Sequence, residues 1–138
     1  MARVLLLLPT TTYRATDFIE AAQALDAEVI VASDQRQALA DTMGSRALAL
    51  DFDNPRSAAK AIVDHARITP IDAVLAVDDQ GVLTAAIAAE ELGLNHNSPR
   101  AVALTRDKAE MRKALSNSPV RQPEFEIVRG ESDAVAAA

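Results

Sequence analysis

An α/β fold, a parallel sheet with helices packed on both faces, is the class this sequence predicts, and three observations predict it. Short apolar runs alternate with segments of helical spacing along most of the chain. The first run, residues 4–8 (Val-Leu-Leu-Leu-Leu), is continuously apolar, as a strand covered on both faces requires. The repeated order of strand then helix calls for right-handed crossovers, which lay successive strands side by side and parallel. The result is a Rossmann-like sheet of at least four strands in the order 3-2-1-4.

The elements follow in chain order. After the strand at residues 4–8, Phe18, Ile19, Ala22 and Leu25 fall on one helical stripe, with Thr16 as the N-cap and Asp17 and Glu20 favouring the positive end of the helix dipole. Residues 28–32 form a second strand, Ser33 or Asp34 caps a short helix running to Asp41, and residues 47–50 form a third strand. Asn54-Pro55 supplies an N-cap and a proline at the first helical position, with Ala58, Ala59, Ile62, Val63 and Ala66 on the buried face. Thr69-Pro70 ends that helix. Residues 73–77 make a fourth strand, and residues 81–92 a helix closed by Gly93. Ser98-Pro99 opens a short fifth helix, and Asp107 with Glu110 has the spacing of a capping box for a sixth. Residues 124–129 read as another strand, followed by a turn and a helix that begins in the last residues.

Composition narrows the function. A net charge of −6, from 20 acidic and 14 basic residues, argues against a phosphate backbone as partner, so no nucleic acid is expected. With no cysteine there is no disulfide framework, thiolate nucleophile or sulfur metal site. The apolar run at residues 4–8 is too short for a signal-peptide core or a membrane span; no membrane partner is expected, and the reading is a cytoplasmic protein.

Ligands of open parallel sheets sit beyond the carboxyl ends of the strands, where the strand order reverses. With strand one between strands two and four, that crevice lies between residues 9–14 and 78–81. Thr10, Thr11, Thr12, Tyr13 and Arg14 offer three hydroxyls, a phenol and a fixed positive charge just before a helix. That combination can hold a phosphate or carboxylate; it also reads as a turn with capping residues and a surface arginine. Asp78, Asp79 and Gly81 form the opposing loop, able to bind a hydroxyl or ammonium or simply to cap the next helix. Only four glycines occur, at 44, 81, 93 and 130, so no Gly-rich pyrophosphate fingerprint follows strand one and NAD or FAD is not expected. Pro9-Thr10 stands where a phosphoacceptor domain would carry an acidic pair. His65 and His96 lie far apart without metal-ligand spacing, and Asp51 and Asp53 read as a strand-to-helix turn, so no metal site is assigned.

The later part of the chain carries a more specific pattern. Asp72-Ala-Val-Leu-Ala-Val-Asp-Asp79 is followed by Ala88-Ala-Glu-Glu-Leu-Gly-Leu94 and Asn97-Ser-Pro-Arg-Ala-Val-Ala-Leu104. Then come Arg106-Asp-Lys-Ala-Glu-Met-Arg-Lys-Ala-Leu115 and Pro119-Val-Arg-Gln-Pro-Glu-Phe125. In order and spacing these resemble the amino-terminal, pre-ATP-grasp part of an ATP-grasp ligase, the superfamily of glycinamide ribonucleotide synthetase, amino-acid ligases and biotin carboxylase. The Gly-rich segment of biotin carboxylases is lacking.

The resemblance implies ATP-dependent ligation: ATP phosphorylates a carboxylate, and an amine or related nucleophile attacks the acyl phosphate. It implies ATP and Mg²⁺ as cofactors of a full-length protein, with the adenine pocket and metal ligands in a later ATP-grasp domain, none of them bound by this chain alone. Lys108 occupies the position of a basic residue that contacts nucleotide phosphates, and Arg112 lies one turn on along the same face. The expected partners are a small carboxylate or phosphorylated metabolite and the carboxy-terminal ATP-grasp domain; a homodimer is left open. Ser116-Asn-Ser-Pro119 divides a pre-ATP-grasp domain, residues 1–118, from the start of an incomplete second domain, residues 119–138. The alternative reading is a stand-alone module that binds a small anion or another protein without catalysis.

Overall fold

A computed structural model describes residues 1–35, 46–128 and 130. The chain divides into two compact units, Met1–Val102 and Ala103–Ala138. In the first, β1 (Arg3–Leu7), β2 (Glu28–Ser33), β3 (Ala47–Ala49) and β4 (Ala73–Ala76) form a parallel sheet ordered β3-β2-β1-β4. This is the order the crossover rule predicts. The helices of the first unit are α1 (Ala15–Ala24), α2 (Pro55–Ala66) and α3 (Val82–Glu91); the division between the units falls within α4 (Pro99–Arg106), and α5 (Lys108–Leu115) lies in the second unit. None of the described helices is long and apolar enough to cross a membrane.

The continuous apolar run of β1 is explained by what covers it. Successive side chains point to opposite faces, so Leu5 and Leu7 join Ile30, Ala32 and Val74 in a core closed by Ala58, Ala59 and Ile62 of α2 and Ala85, Ala88 and Ala89 of α3. Leu6 and Leu8 enter a second cluster with Val31 and Val77, over which Phe18 and Ile19 of α1 pack. In register, Leu5 sits between Ile30 and Val74, and Leu7 between Ala32 and Ala76. Arg3 ties the amino ends together: its Nε donates to Glu28 Oε2 at 2.9 Å, Nη1 to the Pro70 carbonyl at 2.9 Å, and its backbone N–H to Asp72 Oδ2 at 2.7 Å.

The helix ends are local chemistry. Asn54 Oδ1 accepts from the Ser57 N–H at 3.3 Å, with Pro55 opening α2. Beyond α3, Gly93 adopts φ +68°, and the Leu94 and Gly93 N–H groups reach the Ala89 and Glu90 carbonyls at 2.9 and 3.1 Å. That is the paired closure a left-handed glycine permits. The helix α1 departs from expectation at both ends. It begins at Ala15 with Arg14, not Thr16, at the N-cap and no side-chain cap bond. It stops at Ala24, and the turn through Asp26 at φ +51° leaves Leu25 80% exposed instead of on the buried stripe.

In the second unit Asp107 caps α5, its Oδ1 accepting from the Glu110 N–H at 3.0 Å. Glu110 does not complete the reciprocal bond of a capping box; its carboxylate pairs with Lys113 at 2.7 Å. The strand expected at residues 124–129 does not form over 124–128, because a strand exists only through a ladder partner and none faces this segment among the described residues. The short helix expected to Asp41 and the helix beginning in the last residues lie outside the described residues, as does Arg129. The sequence boundary after Ser118 falls inside the second unit.

Two outcomes follow from this packing. A Cβ built at Gly81, where α3 meets the sheet, would lie 3.0 Å from Leu7 Cβ and 3.3 Å from Ala76 Cβ. Gly81→Ala is therefore expected to destabilise the fold by about 1–3 kcal/mol through overpacking; an unchanged urea midpoint would contradict that. His65, on α2, is held below its usual 6.5 first by burial and then by the Arg3 charge. The unfolded chain therefore takes up this proton first, so His65 contributes stability that is full above about pH 6.5 and lost as pH falls through the lower folded value. His65→Gln should flatten the urea midpoint between pH 7.5 and 5.5. The Asp34 carboxyl, held below 3.8, loses its contribution only in a separate, more acidic window.

Candidate functional site

The loops that leave β1 and β4 meet at the carboxyl edge of the sheet because those strands are neighbours. The first is fixed from within: the Thr12 N–H donates to the Pro9 carbonyl at 3.0 Å and the Arg14 N–H to Thr12 Oγ1 at 3.3 Å. The second is a tight turn in which the Gly81 N–H donates to the Asp78 carbonyl at 3.2 Å. Between them lies an open cleft of about 520 Å³. Thr11, Thr12, Tyr13 and Arg14 line one side; Ala76, Val77, Asp78, Asp79, Gln80 and Val82 line the other.

Most of the residues singled out in these loops are brought together, and two are not. Thr10 turns away: its N–H and Oγ1 donate to the Asp34 carboxylate at 2.7 and 3.0 Å, with Ser33 Oγ donating to the same group at 3.2 Å. These bonds, the Thr10 N–H foremost, hold Asp34 below the usual carboxylate range and tie the β1 loop to the end of β2. Gly81 is buried and does not line the cleft; it is the point of close approach between α3 and Leu7. The Arg14 guanidinium stands 5.5 Å from the centre of the Phe18 ring, and Tyr13 is 92% exposed. The Asp78 and Asp79 side chains have no hydrogen-bond or ion-pair partner among the described residues. Ala76, Val77 and Val82 form the apolar floor that the sequence reading missed; their place at the carboxyl end of β4 was the available signal.

A second hollow, also about 520 Å³, opens past β2 and β3 and is lined by Asp34, Gln35, Ala49, Leu50, Asp51, Phe52, Asp53 and Gln80. Gln80 is the wall common to both. Asp51 acts as the expected turn residue, its Oδ1 accepting from the Asp53 N–H at 3.0 Å. Among the described residues no group of three or more His, Cys, Asp or Glu side chains is placed to hold a metal ion.

In the second unit, Lys108 is the first residue of α5, exposed and without an ion-pair partner among the described residues. Arg112, one turn on, is half-buried, with its guanidinium 5.7 Å from the centre of the Phe125 ring. Its carbonyl accepts from Gln122 Nε2 at 3.2 Å. Lys113 is committed to Glu110.

The fold has counterparts among known proteins. No curated protein sequence matches the chain. Among solved structures it resembles an L-amino acid ligase from Bacillus licheniformis, with a TM-score of 0.75 at 16% identity over 96% of this chain. It also resembles a phosphoribosylglycinamide synthetase from Anaerococcus prevotii, with a TM-score of 0.67 at 17% identity over 99% of this chain. The chain spans 34% of the length of each of those proteins. At such identities the likeness establishes a shared fold, a parallel sheet with flanking helices. The family model for the ATP-grasp N-terminal domain matches residues 19–96, more than half of the sequence, and the chain belongs to that family.

Proposed function

We propose that this chain is the amino-terminal part of an ATP-dependent ligase that joins a carboxylate, activated as an acyl phosphate, to an amine or related nucleophile. The single observation that carries the proposal is the match of residues 19–96 to the ATP-grasp N-terminal domain. The two solved structures of like fold, a ligase and a synthetase, support it. The cleft between the β1 and β4 loops is the part of the substrate pocket this chain supplies. Its residues are suited to binding and orientation: hydroxyls, a phenol, a guanidinium and two unpaired carboxylates over an apolar floor.

Lys108 is the proposed nucleotide contact. An exposed, unpaired ammonium at a helix start fits a polyphosphate, and ATP, when bound, supplies the phosphoryl group that activates the carboxylate. Arg112 is proposed as a weaker second contact, since its guanidinium is already stacked on Phe125. Among the described residues no group of three or more His, Cys, Asp or Glu side chains is placed to hold a metal ion. The adenine pocket, the Mg²⁺ ligands and the rest of the domain that begins after Ser118 are assigned to the remainder of the full-length protein.

The test is Lys108→Ala in the full-length protein. Loss of a charge-assisted contact worth about 1.5–3 kcal/mol should weaken nucleotide affinity or turnover roughly ten- to a hundredfold. Lys108→Arg should recover part of that loss. Lys113→Ala is the control, because that ammonium already pairs with Glu110. Equal, small effects of the two alanine variants on ATP-dependent turnover would contradict the assignment.

A further inference from the structure

The cleft between the β1 and β4 loops has a charge balance that selects among reactants. One guanidinium, Arg14, and two carboxylates, Asp78 and Asp79, line the same space. They do not neutralise one another: no ion pair joins Arg14 to either aspartate, and neither carboxylate has another partner among the described residues. Opposite charges that share a cleft without pairing leave the carboxylates free, and the guanidinium engaged among the described residues only by the Phe18 ring at 5.5 Å, for a ligand carrying the complementary charges. The surroundings tilt the field further to the negative, since Asp34, Asp51 and Asp53 line the hollow on the other side of Gln80. A phosphate, with about two negative charges near pH 7, would set one guanidinium against this acidic edge. An α-ammonium with its neighbouring carboxylate meets both signs at once.

Resting on the ligase reading above, we infer that this cleft holds a free α-amino acid, its ammonium facing Asp78 and Asp79 and its carboxylate facing Arg14. A phosphorylated metabolite is the reactant it rejects. The hydroxyls of Thr11 and Thr12 and the Tyr13 phenol border the polar end of such a ligand, and Ala76, Val77 and Val82 give its side chain an apolar floor.

Binding to the full-length protein, followed by ligand-observed NMR without nucleotide, tests this independently of turnover. The probes are the standard L-amino acids taken singly, propionate as a carboxylate without an ammonium, and inorganic phosphate. At least one amino acid should bind tenfold or more tightly than propionate and phosphate. Asp79→Asn, at an exposed position, and Asp78→Asn should each weaken the amino acid about tenfold while leaving propionate unchanged or improved. Arg14→Gln should weaken amino acid and propionate alike. Phosphate or propionate binding as tightly as every amino acid, or amino-acid affinity untouched by both aspartate variants, or no amino acid binding at all, would overturn the inference. The two readings fail separately. Preserved amino-acid selectivity with no ATP-dependent turnover of any carboxylate and amine would sink the ligase reading alone. A Lys108-dependent turnover that uses a phosphorylated reactant in this cleft would sink the amino-acid inference alone.

Discussion

Everything in the first unit depends on β1 being enclosed on four sides. Its two edges are bonded to β2 and β4, and its two faces lie in separate apolar clusters, so Leu5 and Leu7 are fully buried and Leu6 nearly so. A strand held this way has only its ends free to vary. At the amino end Arg3 binds Glu28, Pro70 and Asp72, gathering the starts of three strands with contacts each worth on the order of 1 kcal/mol or less at this exposure. At the carboxyl end the loops of β1 and β4 emerge side by side, and the cleft lies between them. The cleft follows from the strand order, because a central strand flanked by strands reached through opposite crossovers leaves its two outgoing loops unoccluded.

The helices enforce that placement through small residues. Ala85, Ala88 and Ala89 of α3 face Ala58 and Ala59 of α2 in the same core, and Gly81 lets the start of α3 approach Leu7 to a distance at which an added methyl group would be crowded. The turn holding Asp78 and Asp79 is thus set by packing beneath it. On the other side Thr10 fastens the β1 loop to Asp34 through two bonds, which spends its hydroxyl on positioning and leaves Thr11, Thr12, Tyr13 and Arg14 to line the space. The carboxylates and the guanidinium stand unpaired in the cleft for the same reason: each is carried by a loop anchored elsewhere.

Much of this was legible in the sequence. The continuous apolar run of residues 4–8 and the alternation of strands and helices were enough to place four strands in order, since handedness leaves few arrangements. The Asn54-Pro55 and Gly93 punctuation marked helix ends because those signals are local. What escaped was non-local. The bond from Thr10 to Asp34 joins residues 24 positions apart, and the contact of Gly81 with Leu7 depends on a neighbouring strand. Leu25 fits a helical stripe on spacing alone, but the helix stops one residue earlier and the left-handed turn at Asp26 carries it to the surface. Arg112 has helical spacing to Lys108, yet the Phe125 ring that engages it comes from beyond the helix.

The central claim is that the paired loops of β1 and β4 form the reactant-binding edge of this fold. Backbone hydrogen exchange, with and without the reactants proposed for the cleft, tests it most directly. Slowed exchange is expected at the amides of residues 11–14 and 78–80, with β1 and β2 unchanged because their amides are already bonded within the sheet. Unaltered exchange in both loops, with protection appearing only elsewhere in the chain, would contradict it.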